Sequence, residues 1–142
     1  MALHNQIGKR GEELAVDLLK QKGLKIIETN WRFNNLEVDI IAASKEEIIF
    51  VEVKTRTSTL GGYPEEAVDY AKKQHLVAAA NAYVKYRHES RLIRFDVIGI
   101  LLNKSDELVE ISHYENAFTP PGHFIHKNSY SGTYHYHHRG KK

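Results

Sequence analysis

With 142 residues, 42% of them hydrophobic, the chain is long enough for one domain with a proper core. No cysteine occurs, which excludes a disulfide framework, a cysteine-bound zinc and a thiol nucleophile. The formal net charge of +2 is unevenly placed: from Thr119 onward there are four basic residues (Lys127, Arg139, Lys141, Lys142) and no acidic one, so the body to Phe118 carries a net −2 and any basic face on it must come from local clustering.

The opening MALHNQIGKRGEE has no apolar core of signal-peptide length, and no run approaches membrane-spanning length. A cytoplasmic protein without a membrane partner is expected. An amphipathic helix is predicted from about Asn5 or Gln6 to Lys22. Ile7, Gly11, Leu14, Ala15, Leu18 and Leu19 recur at helical spacing, and Gly23 supplies a stop. Glycine on that stripe lets a sheet approach closely. Glu12 projects from the edge of the stripe and Glu13 toward solvent, so Glu12 is the one expected to look into a cleft.

Leu24 to Phe33 reads as a strand, with Asn34-Asn35 turning into a hairpin from Leu36 to Arg56. In that hairpin, strict alternation places Leu36, Val38, Ile40 and Ala42 on one face and Glu37, Asp39, Ile41 and Ala43 on the other. Likewise Ile48, Phe50, Glu52, Lys54 and Arg56 share a face, opposite Ile49, Val51, Val53 and Thr55. Folding about Lys45 and Glu46 so that paired residue numbers sum to 91 sets Asp39 across from Glu52, Glu37 across from Lys54 and Ile41 across from Phe50.

Thr57 to Tyr63 is expected to be a flexible loop, and a helix follows from Pro64 to about Tyr86, with Glu65 and Glu66 suiting its positive end. Its inner face is read as Val68, Ala71, His75, Ala79, Ala82, Tyr83 and Tyr86, with Lys72 among them, and His75 as a core histidine. Arg91 to Leu102 is a strongly apolar strand in which Asp96 has a structural role, and Leu108 to Tyr114 is a shorter edge strand. Residues 1–118 thus form a single α/β domain. The stretch 119–142 is a His/Tyr-rich basic tail expected to be disordered, with metal binding through His135, His137 and His138 or base stacking through its tyrosines as other uses.

Two carboxylates facing one another across strands repel, and burying them unpaired costs several kcal/mol. A hard divalent cation, Mg²⁺ or Mn²⁺, removes the conflict because it prefers carboxylate and carbonyl oxygens and keeps several waters. Asp39 and Glu52 would be its ligands, with the Val53 carbonyl as a third. Lys54, next along the same face, is placed to orient an attacking water or to hold charge on a phosphate. The plainer reading is a cross-strand ion pair between Glu37 and Lys54 on a solvated sheet face. Arg56 could contact phosphate or stand as a surface arginine, and Lys72 could reach the cleft or snorkel to its edge.

Asp39 with Glu52-Val53-Lys54 resembles the PD-(D/E)XK nuclease signature. The wider set GKRGEELA, NWRFNNLEVDIIA, FVEVKTR, GGYPEEAVDYAKKQHL and RFDVIGI resembles the YraN-type family of predicted endonucleases, relatives of archaeal Holliday-junction resolvases, over roughly residues 7 to 101. The resemblance implies a restriction-endonuclease-like αβββαβ core with a mixed central sheet flanked by helices. It implies Asp39 and Glu52 as metal ligands, Lys54 as the catalytic lysine, and Glu12 as an acidic contribution from the first helix. Glu37 matches the family's Gly-Glu-Ile-Asp stretch, but Leu36 stands where the family has glycine. The expected function is a Mg²⁺-dependent endonuclease hydrolysing DNA phosphodiester bonds in branched or structured DNA, with a homodimer matching two-fold symmetric junctions. The alternatives are a nucleic-acid-binding module without catalysis and a protein-interaction domain.

Overall fold

The computed structural model describes residues 2–58, 62–119 and 134–139, the side chains of 2–5 and 134–139 excepted. The first helix, α1, runs Ala2–Gln21. It stops because Gly23 adopts φ 83, which frees its N–H for Lys20 O (2.9 Å) and that of Leu24 for Leu19 O (3.1 Å). This paired closure of the last carbonyls is what a glycine just past a helix end permits. Ala15, Leu18 and Leu19 are buried on the expected stripe, with Ile7 and Leu14 partly buried beside them.

Strands β1 (Lys25–Phe33), β2 (Leu36–Ala43) and β3 (Glu47–Arg56) follow as a meander. A 3₁₀ turn, Pro64–Ala67, and helix α2, Tyr70–Arg87, carry the chain over the sheet to β4 (Leu92–Leu102), and β5 is Leu108–Glu115. The order across the sheet is β1-β2-β3-β4-β5, continued by β6 (Tyr134–Arg139). Among the described residues β3 and β4 pair in parallel and the other neighbouring strands are antiparallel. The predicted αβββαβ order and the mixed sheet flanked by helices are therefore present, a layout compatible with a restriction-endonuclease-like core. Among the described residues no helix is long and apolar enough to cross a membrane.

The two sheet faces have separate cores. Against α1 lie Ile40, Ala42, Ile49, Val51, Val53, Ile98 and Ile100. Against α2 lie Val38, Ile41, Ile48, Phe50 and Phe95, with Tyr83 of the helix edge-on to Phe50 and Trp31.

Three expectations need correction. The segment from Pro64 is not one helix, because the Asp69 carboxylate accepts the Lys72 N–H (3.0 Å) and starts α2 afresh at Tyr70. An Asp in that position offers the backbone an alternative partner and so favours a cap over a helix interior. The inner face of α2 is Leu76, Ala79, Ala80 and Tyr83; Tyr86 is 70% exposed, and His75 is exposed rather than a core residue. Finally, β5 is not the sheet edge, since β6 pairs along it from Glu110↔Arg139 to Glu115↔Tyr134. Residues 120–133 and 140–142 of the tail lie outside the described residues, as do the side chains of its histidines and tyrosines.

Asp96 is fully buried and structural, as anticipated. Arg94 donates Nε and Nη2 to its two oxygens (2.9 Å each), Asn116 N–H donates at 2.9 Å, and His113 Nε2 lies 2.8 Å from Oδ2. The other nitrogen of His113 meets Lys22 Nζ at 2.7 Å. Those bonds hold the Asp96 carboxyl below its ordinary range although burial alone pushes it up.

Candidate functional site

The β2–β3 hairpin has the register that sums to 91: Ile40↔Val51, Ile41↔Phe50, Ala42↔Ile49 and Ala43↔Ile48. Ser44 closes the turn, accepting the Glu47 N–H on its hydroxyl at 3.1 Å. The ladder ends at Ile40/Val51, and the next step is made by a side chain. Asp39 Oδ2 accepts the Val53 N–H at 2.8 Å, so Asp39 sits where two strands part. In a strand the N–H and C=O of one residue point to the same side. The Val53 carbonyl is therefore turned toward the same opening as Asp39.

Alternation along β2 breaks at that place. Leu36 and Val38 pack on the α2 side, whereas Ile40 and Ala42 pack on the α1 side. Across on β1, Thr29↔Ile40 and Trp31↔Val38 are paired, and Asn30 between them is left-handed with φ 51. One residue in that conformation re-aims both strands locally. Glu37 consequently does not face Lys54; it is exposed and pairs with Arg32 at 3.4 Å. The Glu37–Lys54 ion pair of the plainer reading is replaced by this surface one.

Glu52 and Lys54 keep their common face. Glu52 is 9% exposed, and Lys54 Nζ and Lys72 Nζ each stand 4.0 Å from its Oε1. Lys72, in the first turn of α2, thus reaches the carboxylate face. Arg56 is exposed at the end of β3. Glu12 reaches the group from the opposite side. Its position follows from Gly11, where an added Cβ would overlap Thr55 Oγ1, so the helix backbone lies directly on the end of β3.

Electrostatics bind these residues into one group. Burial, then Asp39, pushes Glu52 up to about 7, with Lys72 and Lys54 opposing. Asp39 is raised by burial and by Glu37, against the Val53 N–H, Lys54 and Lys72. Glu12 is raised by burial and by Asp39, while a hydrogen bond from Asn30 opposes. Burial first, and then their neighbours' charge, thus disfavours the carboxylate forms of these acids even with two lysines nearby. Hard oxygen donors under mutual repulsion fit a divalent cation. Among the described residues no three His, Cys, Asp or Glu side chains stand close enough to enclose one. Asp39, Glu52 and the Val53 carbonyl would hold it, with water completing its shell and Glu12 acting from further out.

Sequence reasoning missed Asn30. Asn inside a strand pattern is a signal in itself, because Asn tolerates the left-handed region.

A family model described as "Uncharacterised protein family UPF0102" matches residues 11–100. A UPF0102 protein of Bacteroides thetaiotaomicron is 44% identical over 121 residues, covering 85% of this chain and 98% of the relative. One from Flavobacterium psychrophilum is 45% identical over 118 residues (83% and 98%), and one from Porphyromonas gingivalis is 42% identical over 118 residues (83% and 87%).

Proposed function

We propose that this chain, which belongs to the uncharacterised protein family UPF0102, is a metal-dependent endonuclease of the PD-(D/E)XK type acting on branched or otherwise structured DNA. The observation that carries the reading is Asp39 anchored on the Val53 N–H beside a buried Glu52, with Lys54 on the same face. Bound there, Mg²⁺ or Mn²⁺ supplies Lewis-acid chemistry toward a phosphodiester and the water that attacks it.

The chain's own residues do the rest. The Val53 N–H holds one oxygen of the Asp39 carboxylate, whose charge is felt by Glu52. Lys54 and Lys72 offset the charge of Glu52, and with a cation held there their ammonium groups would be left to face a phosphate. Glu12 adds negative field from α1, strengthening the preference for a divalent ion. Exposed Arg56 lies where β3 leaves the site and would contact the DNA backbone.

Calorimetric titration with Mn²⁺ checks the metal claim: wild type should bind and Asp39→Asn should not. Wild-type protein that takes up no Mn²⁺ would sink it. A non-catalytic nucleic-acid-binding module is the second reading, favoured by the two lysines already beside Glu52, which partly neutralise it without a cation. Its signature is salt-dependent DNA binding that persists unchanged in EDTA.

A further inference from the structure

The β1–β2 turn at Asn34-Asn35 carries an aromatic ring on the side of the sheet that holds Glu52 and Lys54. Alternation along β1 puts Trp31 and Phe33 on one face. Trp31 packs in the α2-side core, where the Tyr83 ring of α2 meets it edge-on at 5.2 Å. Phe33 stacks on Trp31, the ring centroids 6.2 Å apart and the planes within 6°, yet stays 42% exposed. The phenyl ring is thus held from one side while much of its surface meets solvent. A ring fixed in this way loses little freedom when something stacks on it.

Phe33 pairs with Leu36, three residues before Asp39 on β2. That sets it about 10 Å along the sheet from Asp39 and one strand spacing, about 4.8 Å, to the side. A stacked nucleic-acid strand advances about 3.4 Å per phosphate, so the ring lies about three nucleotides from a phosphate held at Asp39 and Glu52. Beyond Asp39, β2 and β3 part. Lys54 and exposed Arg56 line the β3 side of the gap, Lys72 reaches over from α2, and the turn with Phe33 forms the other side. Cations leading to an aromatic ring suit a single strand of nucleic acid, whose phosphates follow the charge while a base lies on the ring. A protein partner fits this place less well. Stable interfaces bury about 800 Å² on each side, whereas the chain neighbours of Phe33 are the exposed polar residues Arg32, Asn34 and Asn35.

We propose that Phe33 is the platform on which one unpaired base of the substrate stacks, about three nucleotides from the phosphate at Asp39 and Glu52. The proposal rests on the reading of this face as a nuclease site and names what the site selects. A base inside a duplex must be taken out of its stack to reach the ring, whereas an unpaired base at a junction or flap has that cost already reduced. Phe33 therefore favours branched over continuous DNA without reading sequence, since every base has a π-face.

The test is binding of end-labelled DNA to the full-length protein, followed by fluorescence anisotropy in EDTA so that metal and cleavage play no part. An oligothymidylate of about twelve nucleotides should bind at least about fivefold more tightly than the same sugar-phosphate chain without bases. Phe33→Leu keeps an apolar side chain but has no π-face; with folding checked by thermal unfolding, it should bring that ratio below about twofold, and Phe33→Trp should keep it. Equal binding of the two chains, binding of neither, or a preference that survives Phe33→Leu overturns the proposal. A wild-type dimer that Phe33→Leu splits into monomers in gel filtration also overturns it, because the ring then belongs to an interface between two copies. Cleavage of a flap with Mn²⁺ by a wild type that shows no base preference leaves the nuclease reading standing and removes this one. A preference that depends on Phe33, with no cleavage of any flap, supports the platform and removes the nuclease reading.

Discussion

Asp39 and Glu52 both have folded-state pKa values raised above their ordinary ones, so the folded protein binds protons more tightly than the unfolded chain. Stability from these groups is therefore greatest below about pH 4.5 and is lost as pH rises toward the Glu52 value of about 7. Glu52→Gln should accordingly raise unfolding free energy at pH 8 by about 1–3 kcal/mol, measured by denaturant titration, and should flatten the pH dependence. A loss of stability instead would mean that Glu52 is held by favourable partners. Lys54→Ala separates the roles: Mn²⁺ affinity should survive, whereas cleavage should fall at least about a hundredfold. At this scale the period of two in β3 made Glu52 and Lys54 legible, because both sit in an uninterrupted strand. Glu37 was not, since its direction depends on the left-handed Asn30 on another strand.

Among the elements, α1 is the one whose docking sets the site. Its apolar stripe is unambiguous in sequence, and Gly11 brings it onto Thr55, next to Lys54 in the chain. Gly11→Ala would ordinarily favour a helix by about 1 kcal/mol. Here the added carbon meets a short, stiff side chain, so a net loss of about 1–2 kcal/mol is expected in thermal unfolding. The shift of α1 should also weaken the influence of Glu12 on the site, lowering Mn²⁺ affinity. Helix α2 was less legible for a physical reason. Alanines and tyrosines surround it on several sides, so spacing alone did not separate Leu76, Ala79, Ala80 and Tyr83 from the exposed Tyr86. The cap at Asp69 was equally hidden, because Pro64-Glu-Glu reads as a good helix start by itself.

Across the whole molecule, the order of helices and strands from α1 to β5 could be read before the structure, since these elements have their own apolar period and their own stop, whereas β6 in the His/Tyr-rich tail was not expected. What sequence could not supply were contacts between distant segments. The Asp96 network is the main case: it joins β4 to β5 through His113 and reaches the end of α1 through Lys22, residues separated widely along the chain. Lys22 can only donate to His113 Nδ1, which leaves the Nε2 proton for Asp96. His113→Ala should strip a fully buried carboxylate of one partner and cost about 3–5 kcal/mol in denaturant unfolding. A change under about 1 kcal/mol would show that Arg94 and Asn116 N–H suffice to hold it. This network stands on the α1 side of β4, whereas Glu52 and Lys54 face α2. The proposed metal site lies on that second face and at its edge by Asp39, with Glu12 approaching from α1. The most direct measurement is cleavage of a panel of four-way junction, flap, single-stranded and duplex DNA by wild type, Asp39→Asn and Lys54→Ala with Mg²⁺ or Mn²⁺. Cutting by wild type alone, abolished by EDTA, is the predicted result; no cutting of any substrate by wild type, or equal cutting by all three proteins, would contradict it.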